Sequence, residues 1–162
     1  VSFGIILTLV LLSIIISSDL VLLDDIRDGT VTQLFLSGVS LQKLIVMKFL
    51  FFTTVSLMFA YGALLMGSGL LGLIEPNYFL ILTFVVPAIM QVIIMASLIV
   101  VKTNSKMMGV IIALPFLVSP IIIGIIAATN SAFIALLLAM NLFFIPMTLF
   151  FGSLLLRKQL NA

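Results

Sequence analysis

The sequence predicts an all-α protein that is a polytopic bundle of transmembrane helices, and three observations support this prediction. Of the 162 residues, 64% are apolar and only 7% are charged, whereas soluble domains are about half apolar and about a quarter charged. The charged residues form short groups, and these groups separate uncharged runs of about 20 residues, the length that crosses a bilayer core. The runs are continuously apolar and lack the alternation of membrane β-strands, so helices are favoured.

The charged residues divide the chain into five predicted spans. The first uncharged run covers residues 1–18, the second 49–74 and the third 76–101. The fourth run, 107–156, is about twice the length of one span and must therefore fold back on itself. The polar residues 129–131 are the predicted turn, which divides this run into spans four and five.

The positions of Lys and Arg predict the orientation of these spans. All seven basic residues follow spans one, three or five: Arg27, Lys43, Lys48, Lys102, Lys106, Arg157 and Lys158. The connections after spans two and four contain no basic residue. Because basic connections are retained on the cytoplasmic side or its organellar equivalent, we expect the C-terminal residue inside and the N-terminal residue outside.

Several functional classes are excluded by the residues that the chain lacks. Without Cys or His it can build neither a thiolate or imidazole metal site nor a Cys–His or Ser–His catalytic pair. No charged residue lies inside a predicted span, which disfavours a proton relay, and the chain has no G-x-x-x-x-G-K-[ST] phosphate-binding loop. Seven basic residues are too few for a nucleic-acid-binding face. We therefore expect no enzymatic activity, no cofactor and no nucleic-acid partner.

The segment 19–48 is the one sizeable connection and holds seven of the twelve charged residues. After a turn at Asp28 and Gly29, Thr30 is predicted to cap a short helix. The apolar stripe of this helix consists of Val31, Leu34 and Phe35. The spacing i, i+3, i+4 places these three side chains on one side of the helix.

A second helix is predicted to begin at Ser40, after a break at residues 37–38. Its apolar side consists of Leu41, Leu44 and Ile45, and its polar side of Gln42 and Lys43. We expect this helix to lie at the membrane interface as an elbow and to lead into span two beyond Lys48.

Two interpretations of this amphipathic segment compete. It either lies on the lipid headgroups or docks a partner protein, and periodicity alone favours the headgroups. The acidic residues favour a partner, because the inner leaflet is anionic and repels them. The predicted docking residues are Asp24, Asp25, Arg27, Asp28, Gly29, Thr30, Val31, Leu34 and Phe35.

The same segment resembles a known protein family. The run DDIRDGT at 24–30 is followed by Leu34, Leu36, Ser37, Leu41, Lys43 and Lys48. This pattern is similar to the acidic, DGT-containing loop of ABC-2 type permeases, most closely to the CcmB family, haem exporter protein B of cytochrome c maturation. Gln33 departs from that pattern, since Glu is common near this position. The later prolines, the loop 102–106 and the basic end are also similar, so the resemblance covers nearly the whole chain but is specific only in the loop.

The resemblance implies a permease subunit of an ABC transporter that acts in haem delivery or export for cytochrome c maturation. The implied partners are a separate ATPase subunit and the other membrane subunits of that system, with haem reached through them, and a homodimer is also compatible. The implied location is the bacterial inner (plasma) membrane or the mitochondrial inner membrane. Family members have six spans, so we expect one more span upstream of Val1. The alternative function is a non-transporting membrane scaffold or assembly factor.

Gln91 and Asn141 are the most polar side chains within the predicted spans. We expect them to form hydrogen bonds between helices rather than to bind a substrate.

Overall fold

The computed structural model describes residues 2–17, 25, 28–71, 75–103 and 106–160. Helices are the only regular elements of this part of the chain, which confirms the predicted all-helical fold class. In order they are α1 (Ser2–Ser17), α2 (Thr30–Leu36), α3 (Leu41–Leu71), α4 (Pro76–Thr103), α5 (Lys106–Ala127) and α6 (Ala132–Leu160).

Three of the described helices are long and apolar enough to cross a membrane. Their apolar stretches are Leu41–Gly67 in α3, Pro76–Val100 in α4 and Ala132–Arg157 in α6. Helices α1 and α5 contain shorter apolar stretches, Phe3–Ser13 and Ala113–Ala127. The three long helices indicate an integral membrane protein, and the five predicted spans are not confirmed by the residues that the structure describes.

Helix α3 differs from the predicted elbow followed by a separate span. Residues 41–71 form one helix, which runs through Lys48 without a break and is about 46 Å long. A charge marks the depth at which hydrocarbon ends, so Lys48 predicts the start of a span. A charge does not interrupt helical hydrogen bonding, and no proline or turn sequence lies near this position. The first turns of α3 therefore extend beyond a hydrocarbon core of about 30 Å.

Helix α2 has the predicted extent but not the predicted cap. Gly29 is the N-cap residue with φ 75° and makes no side-chain cap hydrogen bond, and Thr30 is already the first helical residue. The positive φ of Gly29 is a conformation in which other residues are strained, so the turn glycine rather than the threonine starts the helix. At the other end Gly38 has φ 88°, and Val39 N–H donates to the carbonyl of Leu34, as in a Schellman motif.

Two other predicted helix boundaries are confirmed. Lys43 N–H donates to Ser40 Oγ over 3.4 Å, so Ser40 caps α3 as expected. The turn between α5 and α6 falls at residues 128–131, and Ala132 N–H donates to Asn130 Oδ1 over 3.1 Å. The polar residues 129–131 thus reverse the chain where the sequence predicted.

Helix α4 is the centre of the bundle. In its most apolar window 61% of the residues are buried, against 17% in the windows of α3 and α6. The outer sides of α3 and α6 expose large apolar side chains, such as Phe59 at 76% and Phe143 at 66%. A membrane protein is expected to present such a surface to lipid.

A second buried cluster lies at one end of the bundle, apart from the main core around α4. It consists of Val31 of α2, Leu41, Leu44 and Ile45 of α3, Ile94 and Leu98 of α4, and Leu156 of α6. Lys43, residue 102 and Arg157 are close in sequence to members of this cluster. The structure therefore gathers at one end of the bundle the helix ends that carry basic residues.

Candidate functional site

The predicted docking helix α2 is attached to the basic end of the bundle through Val31. This side chain is only 2% exposed and belongs to the second cluster, with residues from α3, α4 and α6. Burying a valine side chain contributes about 1.5 to 3 kcal/mol relative to leaving it exposed, and Val31 is the buried residue of this seven-residue helix. Val31 therefore anchors α2 to its own chain, and its side chain is not available to a partner.

The other two members of the predicted stripe remain accessible. Leu34 is 38% exposed and Phe35 is 40% exposed, although both lie within about 60° of Val31 around the helix axis. These two side chains therefore lie on either side of the buried Val31, and each is partly exposed. Leu36, which the stripe did not include, is 79% exposed and lies on the outer side of α2. Three consecutive apolar residues form the accessible apolar surface of α2, and we call Leu34, Phe35 and Leu36 the α2 patch.

Leu36 was missed because it breaks the i, i+3, i+4 pattern. An apolar residue on the polar side of a short amphipathic helix gives no periodic signal, and only the three-dimensional position of Val31 shows which side of α2 faces outward. The exposure of Leu36 in the structure is the signal that identifies it.

The charged residue Asp25 of the predicted docking set is paired within the chain. Its carboxylate forms a salt bridge with Lys48 of α3, and the two side chains are 26% and 31% exposed. Lys48 Nζ also lies 5.9 Å from the ring centroid of Phe52, one helical turn further along α3. The pair ties the segment before α2 to the first turns of α3.

The remaining predicted docking residues surround the start of α2. Asp28 and Thr30 are exposed, and Gly29 between them is half-buried. Asp24 and Arg27 lie outside the described residues. The structure thus brings together Asp28 and Gly29 in the turn before α2, and Thr30 and the α2 patch on α2 itself.

The predicted polar pair inside the bundle is confirmed as a contact between helices. Gln91 Nε2 donates to Asn141 Oδ1 over 3.5 Å, joining α4 to α6. Asn141 Nδ2 donates to the carbonyl of Phe84 over 2.8 Å and to that of Leu137 over 2.9 Å. Asn141 therefore holds α6 against α4 through one amide hydrogen and its carbonyl oxygen, while its other amide hydrogen bonds within α6.

Comparisons with protein-family models, with curated proteins and with solved structures find no match to this chain. The resemblance to the CcmB family therefore depends on the loop residues and on the order of the apolar helices.

Proposed function

We propose that this chain is the permease subunit of an ABC transporter and that the α2 patch docks a separate ATPase subunit. The observation that supports the proposal is that α2 has one buried apolar side chain and an exposed apolar surface. Val31 is buried in the bundle, whereas the three side chains of the α2 patch are exposed at the end of the bundle where the basic residues lie. An exposed apolar surface of this kind marks a site that contacts a partner protein or lipid, and the acidic residues beside α2 favour the partner protein.

The anchoring gives α2 a mechanical connection to the rest of the bundle. The second cluster contains residues of α3, α4 and α6 together with Val31, and only residues 37–40 separate α2 from α3. If a partner displaces α2 as a rigid body, the ends of α3, α4 and α6 that contribute to the second cluster therefore move with it. Such rigid-body movement of packed helices is a recognised way to convert a local event into a change across a protein.

The proposal includes five membrane-crossing helices. Helix α5 has 22 residues and is about 33 Å long, which is sufficient for a core of about 30 Å. Helix α1 packs beside the long helices, with the ring of Phe3 stacked on Tyr78 of α4 at a centroid distance of 4.0 Å. Helices α1 and α5 lie beside helices that are long enough to span. We therefore propose that all five helices cross the hydrocarbon core of the membrane.

The proposed biological role is haem delivery or export in cytochrome c maturation. The role is supported by the resemblance of residues 24–30 to the loop of the CcmB family and by the absence of a phosphate-binding loop from the sequence. ATP hydrolysis then belongs to a partner subunit, and the other membrane subunits of that system handle the haem. The proposed location is the bacterial inner membrane or the mitochondrial inner membrane.

A pair of matched variants tests this function in cells that depend on the protein for cytochrome c production. Leu34→Asp places a charge in the α2 patch, and Gln42→Asp places the same charge at an exposed position outside the patch, near the start of α3. Loss of one large apolar contact weakens docking by about 1.5 to 3 kcal/mol, or roughly 10-fold to 150-fold. We expect cytochrome c levels to fall with Leu34→Asp and to persist with Gln42→Asp at equal membrane abundance. Equal cytochrome c levels in both variants would contradict docking through the patch.

A second measurement separates a transporter from the scaffold alternative. The lysine of the phosphate-binding loop in the ATPase partner is replaced, so that the partner assembles but does not hydrolyse ATP. A transporter requires hydrolysis, so cytochrome c production should stop. Production that continues with an inactive ATPase would identify the chain as a scaffold.

A further inference from the structure

A cleft of about 210 Å³ lies among α4, α5 and α6, away from the α2 patch. Much of its wall is formed by Ala96 and Ile99 of α4, Phe116 of α5, and Phe144 and Met147 of α6. All five residues are at least partly exposed, so the cleft opens on the surface of the bundle. No polar atom of the described residues is exposed on its wall, so its occupant must be apolar where it enters.

The mouth of the cleft faces hydrocarbon. Helices α4 and α6 are long and apolar enough to cross a membrane, and their lining residues lie within the apolar stretches Pro76–Val100 and Ala132–Arg157. Lipid acyl chains are the molecules that surround these stretches in a bilayer. A cavity of about 150 Å³ holds benzene, so one of about 210 Å³ has room for a segment of an acyl chain.

The cleft lies at the depth of the leaflet nearest the basic end of the bundle. At 1.5 Å per residue, Ile99 lies about 5 Å along α4 from Lys102, and Phe116 lies about 15 Å along α5 from Lys106. One leaflet contributes about half of a hydrocarbon core of about 30 Å. A lipid whose headgroup lies at the basic end can therefore reach the cleft with an acyl chain.

The three helices that form the cleft carry positive charge at this same end. Lys102 lies in the last turn of α4, Lys106 is the first residue of α5, and Arg157 lies near the end of α6, where it is exposed. With Lys158, these are the four basic residues of positions 76–162, a stretch that contains no Asp or Glu. Basic residues between membrane helices on the cytoplasmic side attract anionic lipid headgroups.

We propose that the cleft is a binding site for an anionic phospholipid of the leaflet at the basic end. One acyl chain fills the cleft among α4, α5 and α6, and the negatively charged headgroup lies at the helix ends that carry Lys102, Lys106 and Arg157. The apolar wall and the basic end are thus matched to the two parts of a single molecule.

The charge complementarity distinguishes this site from the ordinary lipid surface of the bundle. A zwitterionic lipid would place the same acyl chain in the cleft, but its headgroup carries no net charge and gains less from the basic residues. The preference for an anionic over a zwitterionic headgroup is therefore the quantity to measure.

The test uses the full chain in bilayers, with tryptophan fluorescence as the reporter. The chain has no Trp, so Phe116→Trp places a single reporter in the cleft. Phe59→Trp is the matched control, because Phe59 is 76% exposed on α3, which does not line the cleft. The bilayers are phosphatidylcholine with increasing fractions of phosphatidylglycerol, and either lipid carries brominated acyl chains that quench a tryptophan they touch.

We expect phosphatidylglycerol to bind at residue 116 about 5-fold to 30-fold more strongly than phosphatidylcholine. This is the ratio that one or two basic residues give, at about 1 kcal/mol for each. Residue 59 should show a ratio of about 1. In about 1 M salt, which shortens the Debye length to about 3 Å, the preference at residue 116 should fall.

Variants in the Phe116→Trp background locate the two parts of the site. Lys106→Gln combined with Arg157→Gln should bring the ratio toward 1, whereas Lys43→Gln should leave it unchanged. Lys43 is exposed at the same end of the bundle, but on α3. Ala96→Leu narrows the cleft and should also abolish the preference. If Ala96→Leu fails to fold, the salt dependence and the basic variants still test the proposal.

Three results would overturn the proposal: equal quenching of residue 116 by the two brominated lipids, a preference that salt and the double basic variant leave unchanged, or no quenching by either lipid. The last result would show that protein rather than lipid covers the cleft. Because the assay contains no ATPase, its failure would not affect the proposed function, and loss of ATPase docking would not affect the lipid site.

Discussion

Lys48 of α3 forms a salt bridge with Asp25, so a residue that precedes α2 in the chain is joined to the helix that follows α2. The residues between the two partners include the whole of α2, which Val31 anchors in the second cluster. The ion pair and the apolar anchor together hold a short helix at a defined place on the bundle. An isolated helix of seven residues is too short to be stable in water, so this tertiary support is necessary for α2 to exist.

The salt bridge can be measured by a double-mutant cycle. Asp25→Asn, Lys48→Met and the double variant are compared by reversible unfolding in mixed micelles. Because both side chains are only about a quarter to a third exposed, we expect a coupling energy of about 0.5 to 1 kcal/mol, at the upper end for ion pairs in contact with solvent. The charge swap Asp25→Lys with Lys48→Asp should recover part of that energy. Additive effects of the two single changes would show that the pair does not hold the segment.

The topology predicts opposite labelling of the two ends of the bundle. The chain has no native Cys, so single cysteines at Lys43, Glu75, Asn130 and Arg157 report accessibility from each side of the membrane. All four positions are exposed in the structure. We expect residues 43 and 157 to react from the cytoplasmic side and residues 75 and 130 from the opposite side. Labelling of residues 75 and 157 from the same side would contradict the five-span arrangement.

Asn141 should be the polar residue whose loss destabilises the bundle most. Asn141→Leu removes its hydrogen bonds to Phe84, Leu137 and Gln91, and we expect a loss of about 1 to 2 kcal/mol in the free energy of unfolding. Thr54→Val is the control, since Thr54 is exposed and bonds only to a carbonyl of its own helix. It should change that free energy by less than about 0.5 kcal/mol. Equal effects of the two substitutions would contradict the role of Asn141 in joining α4 to α6.

Gly152 should be sensitive to size because α6 packs closely against α3 and α4 at this position. A Cβ atom there would lie 2.9 Å from Ile45 Cδ1 and 3.1 Å from Leu98 Cδ1, both in the second cluster. Gly152→Leu is therefore expected to destabilise the fold by about 1 to 3 kcal/mol through overpacking. Gly62→Leu is the control, because nothing lies within 4 Å of its Cβ position. Similar thermal stability of the two variants would contradict the close approach of α6 to α3 and α4.

Much of the fold could be predicted because the membrane restricts the choices of an apolar chain. Uncharged runs become helices, since every backbone polar group needs a partner, and the turn at 129–131 follows from the length of the last run. The extent of α2 follows from glycines on either side of it. The boundary at Lys48 failed because charge reports membrane depth rather than helix continuity.

The site was predictable only in part. The spacing of the apolar stripe identifies Val31, Leu34 and Phe35. Only the structure shows that Val31 is a buried anchor and that the other two side chains are accessible. Leu36 gave no signal, because an apolar residue on a short helix is common. Its significance depends on the burial of Val31, which shows the side of α2 that faces outward.

The central claim is that the α2 patch touches an ATPase subunit, and photo-crosslinking in native membranes tests it most directly. The crosslinking residue p-benzoylphenylalanine is placed at Leu36, and in a control at Phe59 of α3, which is similarly exposed at 76% but lies on the lipid-facing surface. We predict that position 36 yields a covalent adduct with a subunit that carries a phosphate-binding loop, while position 59 yields none. Adducts with lipid alone at both positions would show that α2 lies on the headgroups and would contradict the account.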